Sequence, residues 1–296
     1  MSVDLVDLDS LSITAIINDE IDLISPSRHS DVDHPGSFAG VPLKSHHGQD
    51  WTDAHGGANV EMRMDSICCG AHGLSLLVTA TKRETTHTLL FDAGPGAEAF
   101  ERNARRLGLI GGGSARIGNV ETIVLSHWHR DHSGGLITAI DLINSTKAQR
   151  HRTRQNEITA AGAQVVEDAS SHAILDGFFA VTSPIPRLTS YETGIPGGIR
   201  LVNKVGDHER TWIKDDEIKE ERVVVCRLKG KGLLVFTGCS HAGIINIANH
   251  ILQTFSSPAK QNDDFYTLIG GYHLADASEP RLQNTLTDLI NLIRSC

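Results

Sequence analysis

Four candidate metal ligands lie within six consecutive positions of the chain: His127, His129, Asp131 and His132. Imidazole nitrogens and carboxylate oxygens are common ligands of divalent metal ions. His127 and His129 can face one ion from an extended backbone, because side chains on a strand alternate with a period of two. Asp131 and His132 follow the bend after this pair and can face a second ion. The segment therefore predicts a site for one or two metal ions.

Two further histidines stand in glycine-rich segments that each follow an apolar, strand-like run. His241 lies in the segment Gly238-Cys-Ser-His-Ala-Gly243, and His273 lies in the segment Gly270-Gly-Tyr-His-Leu274. In α/β proteins, binding sites gather where the ends of several strands meet. We therefore expect His241 and His273 to join the ligands of the first segment.

The elements that must position these residues alternate between strands and helices. Apolar residues at strand spacing or at helical spacing mark each element. Strands are expected at 11–17, 74–81, 87–92, 122–126, 163–166, 178–182, 222–228, 232–237 and 265–269, and helices at 98–107, 136–143, 244–255 and 281–294. This order predicts an α/β protein in which helices cover sheets.

We interpret residues 1–296 as one domain with two long loop insertions. The first insertion, 25–59, is rich in Pro, Gly, Asp, Ser and His and has little periodicity. We interpret it as a solvated loop, with a lid over the site as the alternative. The second insertion, 144–221, is predicted to be irregular, and its acidic run 214–221 is typical of a solvated face.

The composition argues against several classes of function. Hydrophobic residues make up 40% of the chain and charged residues 21%, which suits an ordinary globular protein. The formal net charge of -9 argues against nucleic-acid binding, which usually needs a basic face. No apolar run approaches the ~20 residues that span a bilayer, and the acidic N-terminus does not resemble a signal peptide. We expect a small-molecule substrate and leave the oligomeric state open.

The five cysteines are irregularly spaced and form no Cys-x-x-Cys pair. An odd number of cysteines without regular spacing does not indicate a disulfide framework or a structural zinc knuckle. This pattern predicts a reducing compartment, which we take to be the cytoplasm.

Several motifs together resemble one family. The segment from His127 to His132 after an apolar strand resembles the signature of the metallo-β-lactamase fold. Other blocks resemble the branch of that superfamily named for dihydropterin ribofuranosyl-aminobenzene phosphate synthase. These blocks are His72-Gly-Leu-Ser-Leu-Leu-Val78, Leu89-Leu-Phe-Asp-Ala-Gly94, Asn103 with Leu107-Gly108, Pro184-Ile-Pro-Arg187, Tyr191-Glu192, Asp215-Asp216, Gly238-Cys-Ser-His-Ala-Gly-Ile244 and Ile269-Gly-Gly-Tyr-His-Leu274.

The resemblance implies an αββα sandwich with the site at one edge, between two sheets. It also implies two sets of ligands for divalent metal ions. His127, His129 and His241 would bind the first ion, and Asp131, His132 and His273 would bind the second. We expect zinc, with manganese, iron or nickel as alternatives, because His and Asp ligands suit all four metals.

The chain departs from the wider superfamily at Cys239. Many members of the superfamily carry a bridging Asp after the Thr-Gly pair, whereas Thr237 and Gly238 are followed here by Cys239. Cys239 is interpreted as a small buried residue, with a ligand for a soft metal as the alternative. The second ion would then be held weakly. The third ligand of the first ion is less secure than the ligands of the loop, and His172 and His208 are its possible substitutes.

Three functions are compatible with this pattern. The first is a metal-dependent hydrolase, in which metal-bound hydroxide attacks an ester, lactone or phosphoester. Under that hypothesis Asp131 and His132 are the candidate catalytic residues, with Asp131 as proton acceptor. Arg187 is a candidate for binding an anionic group of the substrate. The second is a pterin-linked transferase, for which Tyr272 is one of several aromatic residues available to contact a planar ring. The third is a non-catalytic metal-binding module.

Overall fold

The computed structural model describes residues 3–21, 37–38, 41–42, 67–110, 116–146, 157–203, 210–256, 265–274 and 278–295. The strands are β1 (Asp7–Leu8), β2 (Ser10–Ile17), β3 (Ser37–Phe38), β4 (Val41–Pro42), β5 (Ser75–Lys82), β6 (Thr85–Phe91), β7 (Thr122–Val124), β8 (His172–Ile174), β9 (Phe179–Val181), β10 (Ile199–Asn203), β11 (Arg210–Lys214), β12 (Val224–Leu228), β13 (Gly232–Phe236) and β14 (Phe265–Ile269). The helices are α1 (Ala97–Arg106), α2 (Arg130–Ser133), α3 (Leu136–Thr146), α4 (Glu157–Ala160), α5 (Ile244–Phe255) and α6 (Glu279–Ser295).

Two sheets form the centre of the protein. One has the strand order β2-β5-β6-β7, and the other has the order β14-β13-β12-β9-β8, with β1 pairing with β12. Side chains on successive residues of a strand point to opposite faces, so each sheet has an inner and an outer apolar face. Leu89 and Phe91 of β6 and Val224 and Phe236 of the second sheet are buried together between the sheets. This inner layer is the core that holds the two sheets face to face.

Helices cover both outer faces. Leu90 of β6, which alternates with the inner residues, packs in a cluster with Phe100 of α1 and Ile140 of α3. On the other side, Val235 of β13 packs with Ile251 of α5. The layers are therefore α, β, β, α, which confirms the predicted αββα sandwich. No helix among the described residues is long and apolar enough to cross a membrane.

Most of the predicted strands and helices are present within a few residues of their expected bounds. The predicted strand at 163–166 is wrong, because those residues form no regular element. The segment 144–221 is less irregular than expected, since it contains β8 and β9 of the second sheet and the β10–β11 hairpin. Most of the predicted loop or lid 25–59 lies outside the described residues, as does His208.

Candidate metal centre

The predicted ligands meet at one edge of the sandwich because of the direction of four strands. β6 and β7 are parallel neighbours in the first sheet, and β13 and β14 are parallel neighbours in the second. The carboxyl ends of these strands lie at the same edge. The segment 125–133, called the metal loop below, follows β7, while the segments with His241 and His273 follow β13 and β14. Topology therefore brings together segments that are far apart in the chain.

A first group of potential ligand atoms joins the metal loop to the segment after β13. It consists of His127, Cys239 and His241, whose ligand atoms all lie within 4.8 Å of one another. The Nε2 atoms of His127 and His241 are 3.2 Å apart. Two ligands at about 2.1 Å from one tetrahedral ion are about 3.4 Å apart. The spacing of these two nitrogens therefore fits a shared metal ion.

A second group lies beside the first and shares one residue with it. His127, Asp131 and His132 have ligand atoms within 4.8 Å of one another, and His132 Nε2 is 3.4 Å from Asp131 Oδ2. Cys239 of the first group also lies close to the second group, with its Sγ atom 3.1 Å from His132 Nε2 and 3.9 Å from Asp131 Oδ2. The half-buried thiol thus faces the ligand cluster, whereas the thiol of Cys226 is fully buried in the inner core.

His129 and His273 line the same cluster. The ring centroid of His129 is 4.6 Å from that of His127 and 4.9 Å from that of His241. The ring of His273 lies 4.7 Å from that of His241, and its imidazole interacts with the backbone of Gly194. All six predicted ligands are therefore brought together, with the ring of His273 against that of His241. Its assignment to a second ion stays a prediction.

A buried carboxylate orients the metal loop from behind. Asp92 directly follows β6, and its Oδ2 atom accepts a hydrogen bond of 2.6 Å from Nδ1 of His132. Its two oxygens also accept hydrogen bonds from the backbone N–H and the hydroxyl of Ser126, both at 2.7 Å. With Nδ1 held in this way, Nε2 of His132 faces Asp131 and Cys239. Carboxylate partners of this kind fix the ring orientation of ligating histidines.

The pKa values of the buried imidazoles in the cluster are shifted in two opposite directions. Burial and the neighbouring His132 and His241 lower the pKa of His127 to about 2. Burial and the imidazoles of His273 and His129 similarly lower the pKa of His241 to about 3. Burial also acts to lower the pKa of His132, but hydrogen bonds to Asp131 and Asp92 outweigh it and raise that pKa to about 12. His127 and His241 are therefore neutral and able to ligate, whereas His132 would have to lose a proton to bind a metal ion through Nε2.

Two buried glutamates hold the segment that carries Cys239 and His241. The carboxylate of Glu221 accepts hydrogen bonds from the backbone N–H groups of His241 (2.8 Å) and Ala242 (2.7 Å). Glu192 accepts hydrogen bonds from the N–H groups of Ile245 and Asn246 in the first turn of α5, both at 2.9 Å. The expectation that the acidic run 214–221 is a solvated face is therefore wrong for Glu221, which is only 1% exposed.

One glycine allows the two loops to approach this closely. A Cβ atom at Gly238 would lie 2.2 Å from Oγ of Ser126 and 3.1 Å from Nδ1 of His127. Any larger residue at this position would push the segment with Cys239 and His241 away from the metal loop.

Asp92, Glu221 and Glu192 were not among the candidates from sequence. Asp92 had a signal, because it ends an apolar strand, whereas nothing local distinguishes Glu221 from its charged neighbours.

The two candidate substrate-binding residues make contacts with the backbone. Arg187 donates a hydrogen bond of 2.7 Å from Nη1 to the carbonyl of His241, and it lines a cavity of about 360 Å³ together with Lys219 and Glu221. The hydroxyl of Tyr272 donates to the carbonyl of Leu268 at 3.2 Å. Both residues adjoin the segments that carry His241 and His273, and their contact with a substrate stays a prediction.

His172, a possible substitute ligand, lies on β8, the last strand of the second sheet. Its Nδ1 atom is 2.9 Å from the carbonyl of Ser170 and 3.6 Å from Oδ2 of Asp168. His172 therefore has partners of its own, and it belongs to neither group of ligand atoms found among the described residues.

Comparison with known proteins agrees with this fold. No protein-family model matches the sequence. Among solved structures, the chain is similar to Tm1679, described as a metal-dependent hydrolase of the β-lactamase superfamily, with a TM-score of 0.50 and 26% sequence identity. The match covers 75% of this chain and 78% of Tm1679. The class of protein is therefore confirmed: the chain has the metallo-β-lactamase fold.

Within that class, the sequence is similar to two curated proteins of Methanocaldococcus jannaschii. One is 7,8-dihydropterin-6-methyl-4-(beta-D-ribofuranosyl)-aminobenzene-5'-phosphate synthase, with 23% identity over 252 residues, which cover 75% of this chain and 77% of the synthase. The other is the uncharacterized protein MJ0448, with 25% identity over 244 residues, which cover 76% of this chain and 79% of the relative. The first match agrees with the branch that the sequence motifs indicated.

Proposed function

We propose that the protein is a metal-dependent hydrolase that acts on an ester, lactone or phosphoester of a small molecule. The observation that carries this proposal is the convergence of His127, Asp131, His132, Cys239 and His241 at one edge of the sandwich, with ligand atoms at metal-binding distances. A divalent ion bound there would lower the pKa of a water molecule and stabilise negative charge that develops on the substrate. The relation to Tm1679 supports the same class of reaction.

In this proposal the residues of the chain divide into ligands and supports. His127, His129 and His241 hold a first ion, while Asp131 and His132 belong to a second. Asp131 is half-buried at the open side of the cluster, where its carboxylate can accept a proton from the attacking water. Asp92 and Glu221 keep the ligands in place from behind, through the hydrogen bonds to His132 and to the backbone of His241.

A substrate panel with metal controls tests the proposal. The protein is stripped of metal, reloaded with zinc or manganese, and assayed against phosphoesters, lactones and thioesters. We expect hydrolysis that is absent from the stripped protein and returns with metal. Bound metal measured by elemental analysis, with no hydrolysis of any class, would count against the hydrolase and leave the metal centre intact.

A pterin-linked transferase is the second candidate, favoured by the synthase relative. A dihydropterin and an aromatic amine would then give a condensation product. A planar pterin binds well to an aromatic face, and Trp128 within the metal loop is 58% exposed. Replacing Trp128 with Ala should raise the KM for a pterin substrate. The matched control is Trp212→Ala on the β10–β11 hairpin, whose side chain is similarly exposed, at 63%, and we expect it to leave the KM unchanged.

We also propose zinc as the native metal and the cytoplasm as the location. The thiol of Cys239 beside three imidazoles supports a preference for zinc over manganese, because soft thiolates suit zinc. The irregularly spaced cysteines support a reducing compartment. Elemental analysis of protein purified from its own cells, followed by cell fractionation, checks both points.

A further inference from the structure

His72 is a further histidine at the metal centre that the proposed ligand sets leave out. It precedes β5, which is antiparallel to β6, so the start of β5 lies at the same edge as the end of β6. The backbone N–H of Leu74 donates to the carbonyl of Asp131 at 3.2 Å. A Cβ atom at Gly73 would lie 2.2 Å from that carbonyl oxygen, and Gly73 has a φ of 139°. The segment 72–74 is therefore fixed directly onto the metal loop.

The ring of His72 is held between two carboxylates. Its Nδ1 atom is 3.1 Å from Oδ1 of Asp19, and its Nε2 atom is 3.5 Å from Oδ2 of Asp131. The same oxygen of Asp19 also accepts the backbone N–H of Gly73 at 3.0 Å. When Nδ1 donates its proton to Asp19, the lone pair of Nε2 faces Asp131. This carboxylate–histidine pair is the usual support of a ligating imidazole.

The carboxylate of Asp131 lies among other potential ligands. Its Oδ2 atom has three potential ligand atoms around it: Nε2 of His132 at 3.4 Å, Nε2 of His72 at 3.5 Å and Sγ of Cys239 at 3.9 Å. Ligands of one tetrahedral ion are separated by about 3.4 Å. A cation placed between the imidazole lone pair and the carboxylate would be attracted to both. His72 therefore adds a potential ligand beside Asp131, while the assignment of His273 to the second ion stays a prediction.

We infer that His72 is a ligand of the second ion and that Asp19 holds its ring in the ligating orientation. The inference rests on the proposed metal centre and adds one ligand and one positioning residue to it. Because the side chain of His72 is 82% exposed, the second ion lies on the solvent side of the cluster. This ligand would also compensate for the missing bridging carboxylate at Cys239.

The experiment measures metal binding itself. Metal-free wild-type protein, His72→Gln and Asp19→Asn are titrated with zinc by calorimetry, and the ions bound per chain are counted by elemental analysis. We expect two ions in the wild type. His72→Gln should keep the first ion and lose at least about 100-fold in affinity for the second, and Asp19→Asn should lose about 10-fold to 100-fold. Because His72 is exposed, its replacement leaves the core intact.

His87→Gln is the matched control. His87 also lies between two carboxylates, with Nδ1 at 3.0 Å from Glu121 and Nε2 at 3.4 Å from Asp176, but at the opposite end of β6. We expect it to bind both ions as the wild type does. In the cobalt-substituted protein, one shifted, exchangeable imidazole N–H signal in the NMR spectrum should disappear in His72→Gln and remain in His87→Gln.

The outcomes separate the inference from the proposed function. A wild-type protein that binds no divalent ion overturns the metal centre and this inference together. If the wild type binds metal and His72→Gln binds every ion with the same affinity, His72 serves only as an ion-pair partner of Asp131. In that case the inference fails while the hydrolase proposal stands.

Discussion

The two ends of the sandwich each hold a histidine between two carboxylates, but the surroundings of these histidines differ. At the metal end, His72 lies between Asp19 and Asp131, is largely exposed, and adjoins the cluster of His132 and Cys239. At the other end, the side chain of His87 is only 13% exposed and packs edge-on against Phe178, with ring centroids 4.6 Å apart. A histidine–carboxylate pair alone does not identify a metal ligand. What identifies a metal ligand is the presence of further ligand atoms around the pair.

The difference follows from where the strands begin and end. The metal end collects the carboxyl ends of two parallel strand pairs and the loops that follow them. The opposite end carries two short hairpin turns, at 83–84 between β5 and β6 and at 229–231 between β12 and β13. Short turns leave little room for a concave site, whereas long loops supply side chains from several directions.

The largest effect is expected from removing two ligands of the metal loop. His127→Ala combined with His129→Ala should abolish binding of the first ion and lower kcat/KM by at least about 1,000-fold, because the ion stabilises the developing charge by several kcal/mol. Elemental analysis and steady-state kinetics measure the two effects. His87→Ala is the control at the other end and should leave both unchanged. Undiminished metal content in the double variant would contradict the predicted site.

A smaller effect is expected behind the ligands. Asp92→Asn should weaken metal binding by about 10-fold to 100-fold, because an amide replaces the carboxylate that orients His132 and accepts two hydrogen bonds from Ser126. Calorimetric titration with zinc measures this change. Glu121→Gln removes the equivalent partner of His87 and should not alter the affinity. Equal losses in the two variants would show a general loss of stability instead of a local effect on the ligands.

Glu221 gives a prediction about pH in the metal-free protein. Burial raises its pKa to about 7 from 4.5, although the N–H groups of Ala242 and His241 oppose the change. A carboxyl whose pKa is higher in the folded state contributes stability that is complete below the unfolded pKa and is lost as the pH rises through the folded pKa. The difference in unfolding free energy between wild type and Glu221→Gln should therefore grow by on the order of 2 kcal/mol between pH 7.5 and pH 5.

Urea unfolding of both proteins at a series of pH values measures that difference. Comparing two metal-free proteins removes most of the contribution of other groups whose pKa values are shifted, such as His127, His241 and His132. A difference that stays flat, or that shrinks as the pH falls, would mean that Glu221 is already ionised in the folded protein at pH 5.

The smallest effect concerns metal preference at Cys239. Replacing this thiol with Asp should raise the affinity for manganese relative to zinc by about 10-fold, because a carboxylate is a harder ligand than a thiolate. Cys239→Ser should lower the affinity for zinc by a similar factor. Competition titrations with the two metals measure the ratio. Cys69→Ser, which changes an exposed thiol outside both groups of ligand atoms, should leave the ratio unchanged. A ratio that stays constant in the Cys239 variants too would mean that the Cys239 thiol does not contact the metal.

Much of the fold was predictable because its signals are local. The apolar run before His127 and the helical spacing after Gly243 depend only on neighbouring residues, and helix α5 has the bounds expected from sequence. The β10–β11 hairpin was missed because its residues are exposed and polar as well as apolar, so no clear alternation marks it. The strand expected at 163–166 is wrong because the side chains of Val165 and Val166 are 43% and 75% exposed, and these residues pair with no strand among the described residues.

By itself, the sequence determined that the chain carries a metal loop and that two more histidines follow strands, because these facts depend on residue type and spacing. Tertiary structure decided which atoms meet. His72 and Asp19 are 53 positions apart, and His132 and Cys239 are 107 positions apart, so only the pairing of strands in the two sheets brings them together. The burial that makes Glu221 a support and the exposure that leaves His72 open to an ion likewise arise only when the layers pack.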